Sequence, residues 1–115
     1  LENKELSLHF NENYYNMKII ITTLGKKGSR YYKKIYSGFE TDETFAAELN
    51  PVVDTTGSGD AYIAGFIYGL LENMDVKQCC NRGSVLSSFI IEKVGCVTNA
   101  PSLDEYNQRY DLLIK

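Results

Sequence analysis

The stretch that decides the reading is PVVDTTGSGDAYIAGFIYGL, residues 51–70. A turn flanked by glycines, Gly57-Ser58-Gly59, runs straight into an apolar segment with helical spacing. Ala61, Ala64, Gly65, Tyr68 and Gly69 fall at i, i+3, i+4, i+7 and i+8, which predicts a helix from Ser58. Bulky apolar residues fill most of the other positions, so the helix is expected to be buried nearly all round. Its small-residue stripe predicts a close approach to another backbone. A glycine turn at a helix start offers bare N–H groups and a positive dipole end to an anion. Asp60 stands at the mouth of that turn. In the plain reading it caps the helix or complements its dipole. In the sharper reading, the amides hold phosphoryl oxygens while the neighbouring carboxylate takes the proton from an attacking alcohol.

Three standard motifs fail by letter. A P-loop needs Gly-Lys at its end, but the sixth residue from Gly57 is Tyr62 and no Lys follows Gly59. The dinucleotide fingerprint G-x-G-x-x-G fails at the same Tyr62. An EF-hand fails because DTTGSGD carries Asp at its first and seventh positions alone.

Upstream, MKIIITTLG reads as a buried strand, GKKG as a turn, and SRYYKKIYSG as a second strand reached by a hairpin. A further short strand is expected around Phe45 to Leu49, limited by Pro51. Residues 1 to 16 read as a loop or ragged helix. Downstream, Asp75 and Gln78 form a capping box. The helix it opens is expected to run to about Lys93 and stop at Gly95. Ser102 and Glu105 form a second box, with Tyr106, Arg109, Tyr110 and Leu113 along one face of a last helix.

The bulk numbers fit one small globular domain: 115 residues, 43% hydrophobic, 23% charged, net charge −3. That charge disfavours nucleic acid or an anionic membrane as main partner. No apolar run reaches the ~20 residues of a membrane span, and no signal peptide is visible. Cys79, Cys80 and Cys96 make no C-x-x-C pair and read as packing residues of a reducing, cytoplasmic compartment. His9 is the sole histidine, so a Ser-His-Asp or Cys-His centre would have to use it. The chain starts at Leu1, and its helices outnumber the sheet they would cover. Both features suggest a piece of a longer fold.

VVDTTGSGDAYIAGF resembles the C-terminal signature of the ribokinase-like (PfkB) carbohydrate kinases, D-T-x-G-[AG]-G-D-x-[FY]-x-A-G-[FL], with Ser58 where Ala is usual. TLGKKG, Thr23 to Gly28, is similar to that family's nucleotide turn. SVLSSFIIEKVGCVT is similar to its late helix and closing turn. The resemblance implies an α/β fold: the C-terminal part of a three-layer αβα, Rossmann-like sandwich, with residues 1–115 as one fragment whose sheet is incomplete. It implies ATP-dependent transfer to a sugar hydroxyl, with Asp60 as general base and Gly57, Ser58 and Gly59 as anion hole. Thr23, Gly25 and Gly28 would lie along the nucleotide, and Ser84 stands where some members place Asn beside adenine. Mg²⁺ would accompany ATP. A monovalent cation such as K⁺ would be held by Asp54, Thr56, the carbonyls of Ile90, Lys93 and Gly95, and Asn99. Asp54 as a simple turn residue is the alternative. AGFIYGLLENM is loosely similar to fructoselysine kinases, which suggests a fructose-like acceptor. Partners are then a sugar and ATP, with a homo-oligomer conceivable. The competing reading is a truncated, non-catalytic nucleotide-binding or assembly fragment. A dehydrogenase is disfavoured by the failed fingerprint.

Overall fold

The computed structural model describes residues 18–95 and 97–114. The expectations for residues 1–16, for His9 and for Cys96 lie outside that range. Three strands, β1 (Ile19–Thr23), β2 (Ser29–Ile35) and β3 (Gly38–Thr44), form an antiparallel sheet in that order. Three helices follow: α1 (Ser58–Leu71), α2 (Val76–Ile90) and α3 (Leu103–Ile114).

The β1–β2 hairpin is the expected one, with Ile19 opposite Lys33 and Thr23 opposite Ser29. β3 differs from expectation. It occupies Gly38–Thr44, ahead of the predicted Phe45 to Leu49, and Phe45 is 90% exposed. The polar run FETDET becomes a strand because its charges meet opposite charges across the ladder: Glu43 faces Arg30 and Glu40 faces Lys33. An Arg30–Glu43 ion pair closes one of these contacts. β1 is half-buried to exposed, not the buried strand expected. It is one of the two sheet edges among the described residues, β3 being the other.

Ser29 and Tyr31 share one face of β2 by the period of two. That face meets the helices: Tyr31 packs with Val76 and Cys80, and Ile19, Ile21, Tyr62 and Phe66 lie against them. A second cluster joins Val85 and Phe89 of α2 to Tyr106 and Tyr110 of α3. Cys79 and Cys80 are fully buried and free, as packing residues should be. Burial pushes the Cys79 thiol up to about 11, so it stays protonated and unreactive at neutral pH.

The small-residue stripe of α1 does what its spacing predicts. A Cβ at Gly65 would stand 2.5 Å from the Arg82 carbonyl oxygen and 2.7 Å from the Gly83 Cα. A Cβ at Gly69 would stand 2.9 Å from the Cys79 Cα. From the other side, a Cβ at Gly83 would stand 2.6 Å from the Tyr62 carbonyl oxygen. α1 and α2 therefore touch backbone to backbone. The all-round burial expected for α1 does not hold. Gly65 and Gly69 are its buried residues, whereas Ile63, Ile67, Leu70 and Leu71 are exposed on the side away from α2. Apolar composition alone did not reveal that one flank has no cover among the described residues.

α2 begins at the Asp75–Gln78 box, with the Gln78 amide donating to Asp75 Oδ1 at 2.8 Å. It ends at Ile90, about one turn before the expected stop. The Ile91 carbonyl accepts from the amides of Val53 and Asp54, at 2.7 and 3.1 Å, so the chain is pulled out of the helix there. Gly95, with φ of 98°, lies in the loop beyond. α3 opens on the predicted box: Glu105 N–H donates to Ser102 Oγ at 3.1 Å, and Ser102 N–H donates to Glu105 at 3.0 Å.

Arg82 of α2 is buried among the rings of Tyr68, Tyr106 and Tyr110, its guanidinium 5.2, 5.0 and 3.8 Å from their centroids. It donates to Asn107 Oδ1 at 2.7 Å, and its carbonyl accepts from the Tyr106 hydroxyl at 2.6 Å. Cation–π contact with desolvated rings offsets the cost of burying the charge. Arg82 thus fixes α3 to α1 and α2.

The glycine seam yields a stability prediction. Gly65→Ala should destabilise the fold by about 1–3 kcal/mol, because backbone atoms of α2 must move to admit the methyl. Gly59→Ala, with nothing within 4 Å of its Cβ, should be near neutral or stabilising. Thermal unfolding of the two variants checks the contrast. Equal losses would show that the seam is slack.

Candidate active site

The β1–β2 hairpin turn, the start of α1 and one face of α2 enclose a cavity of about 300 Å³. Six predicted residues line it: Thr23, Gly25, Gly28, Ser58, Gly59 and Ser84. They come from three segments far apart in sequence. Gly57 and Asp60 are not part of the lining. Asp60 lies one residue past Gly59 and is exposed.

The hairpin turn is a short 3₁₀ segment, Gly25–Lys27, closed by Leu24 N–H to the Gly28 carbonyl at 2.7 Å and Gly28 N–H to the Gly25 carbonyl at 3.1 Å. Gly28 has φ of 94°. A Cβ there would fall 1.8 Å from the Thr44 carbonyl oxygen. Glycine is required twice over, by the backbone angle and by the end of β3 pressed against it.

At the mouth of α1, Gly57 takes the left-handed conformation, φ 81°, as N-cap. The Ser58 amide, one of the three expected anion-hole donors, is turned instead to the Thr55 carbonyl at 3.1 Å. The amides of Gly57 and Gly59 have no acceptor among the described residues. The Asp60 carboxylate likewise has no hydrogen-bond or ion-pair partner among them. Two bare amides and a free carboxylate at a helix N-terminus can hold an anion and accept a proton side by side.

Ser84 is committed on one side, its Oγ accepting the Ala47 amide at 2.7 Å. That bond ties the segment after β3 to α2. Ala46, Ala47, Glu48, Val52, Thr55, Tyr62, Ser87 and Ile91 also line the cavity, and sequence reasoning assigned none of them to it. Ser87 was accessible to reasoning, since it stands three residues after Ser84 on the same helix face. Tyr62 was absorbed into the apolar filling of α1. The Ala46–Val52 segment carried no signal because its conformation depends on Ser84.

Asp54 behaves as a turn residue. Its Oδ1 accepts from the Thr56 amide at 2.9 Å and the Thr56 hydroxyl at 2.7 Å, and its Oδ2 accepts from the Gly95 amide at 3.1 Å. These bonds, the Thr56 hydroxyl first, hold its carboxyl below the usual range. Asn99 donates to the Phe89 carbonyl at 3.0 Å and to Glu92 at 3.3 Å. Glu92 also accepts from Asn50 at 2.6 Å and pairs with Arg109 at 3.0 Å. The loop after α2 and the crossing into α1 are thereby bound together. Three of the roughly four acceptor positions of the Asp54 carboxylate are in use, which leaves room for one more contact, as a monovalent cation would make. No group of three or more His, Cys, Asp or Glu side chains among the described residues is placed to hold a metal ion. No helix of the described residues is long and apolar enough to cross a membrane.

An antiparallel hairpin feeding its turn into a cavity at a helix mouth, with helices on one sheet face, is part of a ribokinase-type α/β fold. The crystal structure of Methanocaldococcus jannaschii nucleoside kinase, described as an archaeal member of the ribokinase family, superposes with a TM-score of 0.78 at 28% identity, covering 96% of this chain and 38% of that one. Ribokinase from Cryptococcus neoformans in complex with ADP superposes with a TM-score of 0.74 at 33% identity, covering 92% and 35%. The sequence matches the pfkB family carbohydrate kinase model over residues 4–103, and the chain belongs to that family. A 5-dehydro-2-deoxygluconokinase of Geobacillus thermodenitrificans is 36% identical over 96 residues, covering 82% of this chain and 27% of the relative. The chain thus spans about a quarter to two-fifths of the length of these proteins.

Two outcomes are expected from the site. Gly28→Ala should lose more stability than Gly65→Ala, since strain at positive φ adds to the clash with Thr44, and unfolding in urea would rank the two. The second concerns pH. Asp54 has a folded-state pKa below its unfolded value, so its contribution is present above the ordinary carboxylate range and is lost as pH falls through the folded value. Asp54→Asn should therefore unfold with a weaker acid dependence than the parent. An unchanged dependence between about pH 5 and pH 2 would remove Asp54 from that role.

Proposed function

We propose that the chain is the nucleotide-binding and catalytic end of an ATP-dependent kinase acting on a sugar hydroxyl. The observation that carries this is the single cavity lined by both the Thr23–Gly28 turn and the Ser58–Gly59 helix mouth, with Asp60 exposed beside it. MgATP would lie along Thr23, Gly25 and Gly28, with its adenine end toward Ser84. The bare amides of Gly57 and Gly59 would receive the transferring phosphoryl oxygens, and the α1 dipole would add positive potential. Asp60 would accept the proton of the attacking hydroxyl as the acceptor oxygen bonds to phosphorus and the bond to the ADP oxygen breaks. Mg²⁺ would arrive with the ATP phosphates. K⁺ at Asp54 would stiffen the turn that leads into the anion hole.

The acceptor would be a sugar, free or carried in a nucleoside. The neighbours are a nucleoside kinase, a ribokinase and a 5-dehydro-2-deoxygluconokinase. The fructose-like acceptor suggested by AGFIYGLLENM is one member of that range. Most of a relative's length lies outside the matched region, so the acceptor contacts are assigned to that remainder. One observation favours the assembly reading for the chain on its own. The exposed apolar flank of α1, without cover among the described residues, would favour association with another chain.

In the intact kinase, Asp60→Asn should keep MgATP binding within about threefold and lower kcat by 10²-fold or more, as loss of a general base does. Turnover near the parent rate would refute the assignment. Sugar phosphorylation by the 115-residue chain alone would refute the division of labour.

A further inference from the structure

The two turns that face the cavity lie far apart in the sequence, and a line of three hydroxyls joins them. Ser29 follows Gly28 directly and is 2% exposed. Its Oγ lies 2.7 Å from the Tyr62 hydroxyl and 2.8 Å from Thr44 Oγ1. Thr44 pairs with Ser29 in the ladder and supplies the carbonyl against which Gly28 is pressed. Tyr62 stands two residues past Asp60 and lines the cavity. Its carbonyl lies against Gly83 of α2, so its main chain has no room to retreat. Its hydroxyl is held un-ionised: burial raises its pKa, with a smaller push from the neighbouring Cys80. A neutral hydroxyl can both donate and accept, which a line of three requires.

We infer that Tyr62 is a positioning residue whose hydroxyl, through Ser29 and Thr44, fixes the spacing between the Gly25–Gly28 turn and the Gly57–Gly59 helix mouth, so that one nucleotide can engage both. The inference rests on the nucleotide reading of the cavity proposed above. It differs from a packing role. The Tyr62 ring would fill its place without the oxygen, whereas the spacing would relax when either partner of the Ser29–Tyr62 bond is lost.

The test is a double-mutant cycle on MgATP binding in the intact kinase, measured by calorimetry well below the unfolding transition. Tyr62→Phe and Ser29→Ala should each weaken MgATP roughly five- to tenfold, the size of one lost hydrogen bond. The double variant should be no weaker than the poorer single variant, because both remove the same link. Multiplying losses, or a Tyr62→Phe protein that melts lower yet binds MgATP as the parent does, would overturn the inference. Should Tyr62→Phe fail to fold, Ser29→Ala alone cuts the same bond from its other end, and MgATP binding equal to the parent's in that variant would overturn the inference. A parent protein that binds MgATP, shows the non-additive cycle and phosphorylates no sugar or nucleoside would sink the kinase reading and leave the coupling intact. A parent that binds no MgATP would overturn both.

Discussion

Everything in this chain is referred to one contact, the meeting of α1 and α2 at Gly65, Gly69 and Gly83. Side chains at a helix interface can change rotamer and absorb error. Main-chain atoms cannot. Because a Cβ at Gly65 or Gly83 would fall within 2.6 Å of a carbonyl oxygen on the other helix, the two axes have little freedom to slide. The interior glycines of α1 forgo about 1 kcal/mol each in helix propensity. In return the helix mouth is held in register with Ser84 and Ser87 on α2 and with Ile91 just past it. Dispersion contacts between close backbones offset that loss, and the order they impose extends to the cavity.

A second set of constraints acts on the crossing that leads from the sheet into α1. Residues 45–57 contain no helix or strand, and a free segment of that length would let the glycine turn wander. It is pinned along its length: Ala47 by Ser84, Asn50 by Glu92, Val53 and Asp54 by the Ile91 carbonyl, and the Asp54 carboxylate by Thr56 and Gly95. Nearly every partner sits on α2 or just past it. The Glu92–Arg109 pair, 11% exposed on each side chain, anchors that loop to α3 in turn. A partly buried pair with several further hydrogen bonds keeps its geometry better than a surface pair would.

The parts legible in the sequence are those whose cause is local. The two capping boxes, the hairpin at GKKG and the small-residue stripe each rest on residues within a few positions of one another, and each is present. What escaped is set from a distance. β3 was misplaced because FETDET is polar on its own and becomes a strand through Arg30 and Lys33 opposite. α2 ends early because Val53 and Asp54 capture the Ile91 carbonyl. The exposed flank of α1 could not be read from a segment that is apolar on every side. At the site, the glycine turns and Ser84 were legible as motif positions. The diversion of the Ser58 amide to Thr55 and the arrival of Tyr62 at the cavity wall required the folded chain.

The buried guanidinium of Arg82 has a practical corollary. The chain holds nine tyrosines and no tryptophan, so its ultraviolet emission is entirely phenolic. Three of those phenols, Tyr68 of α1 with Tyr106 and Tyr110 of α3, surround one cation carried by α2. Carrying Tyr106 and Tyr110 from this buried site into water would change their near-ultraviolet absorbance. The last helix therefore carries its own optical label, and its detachment can be followed without attaching a dye.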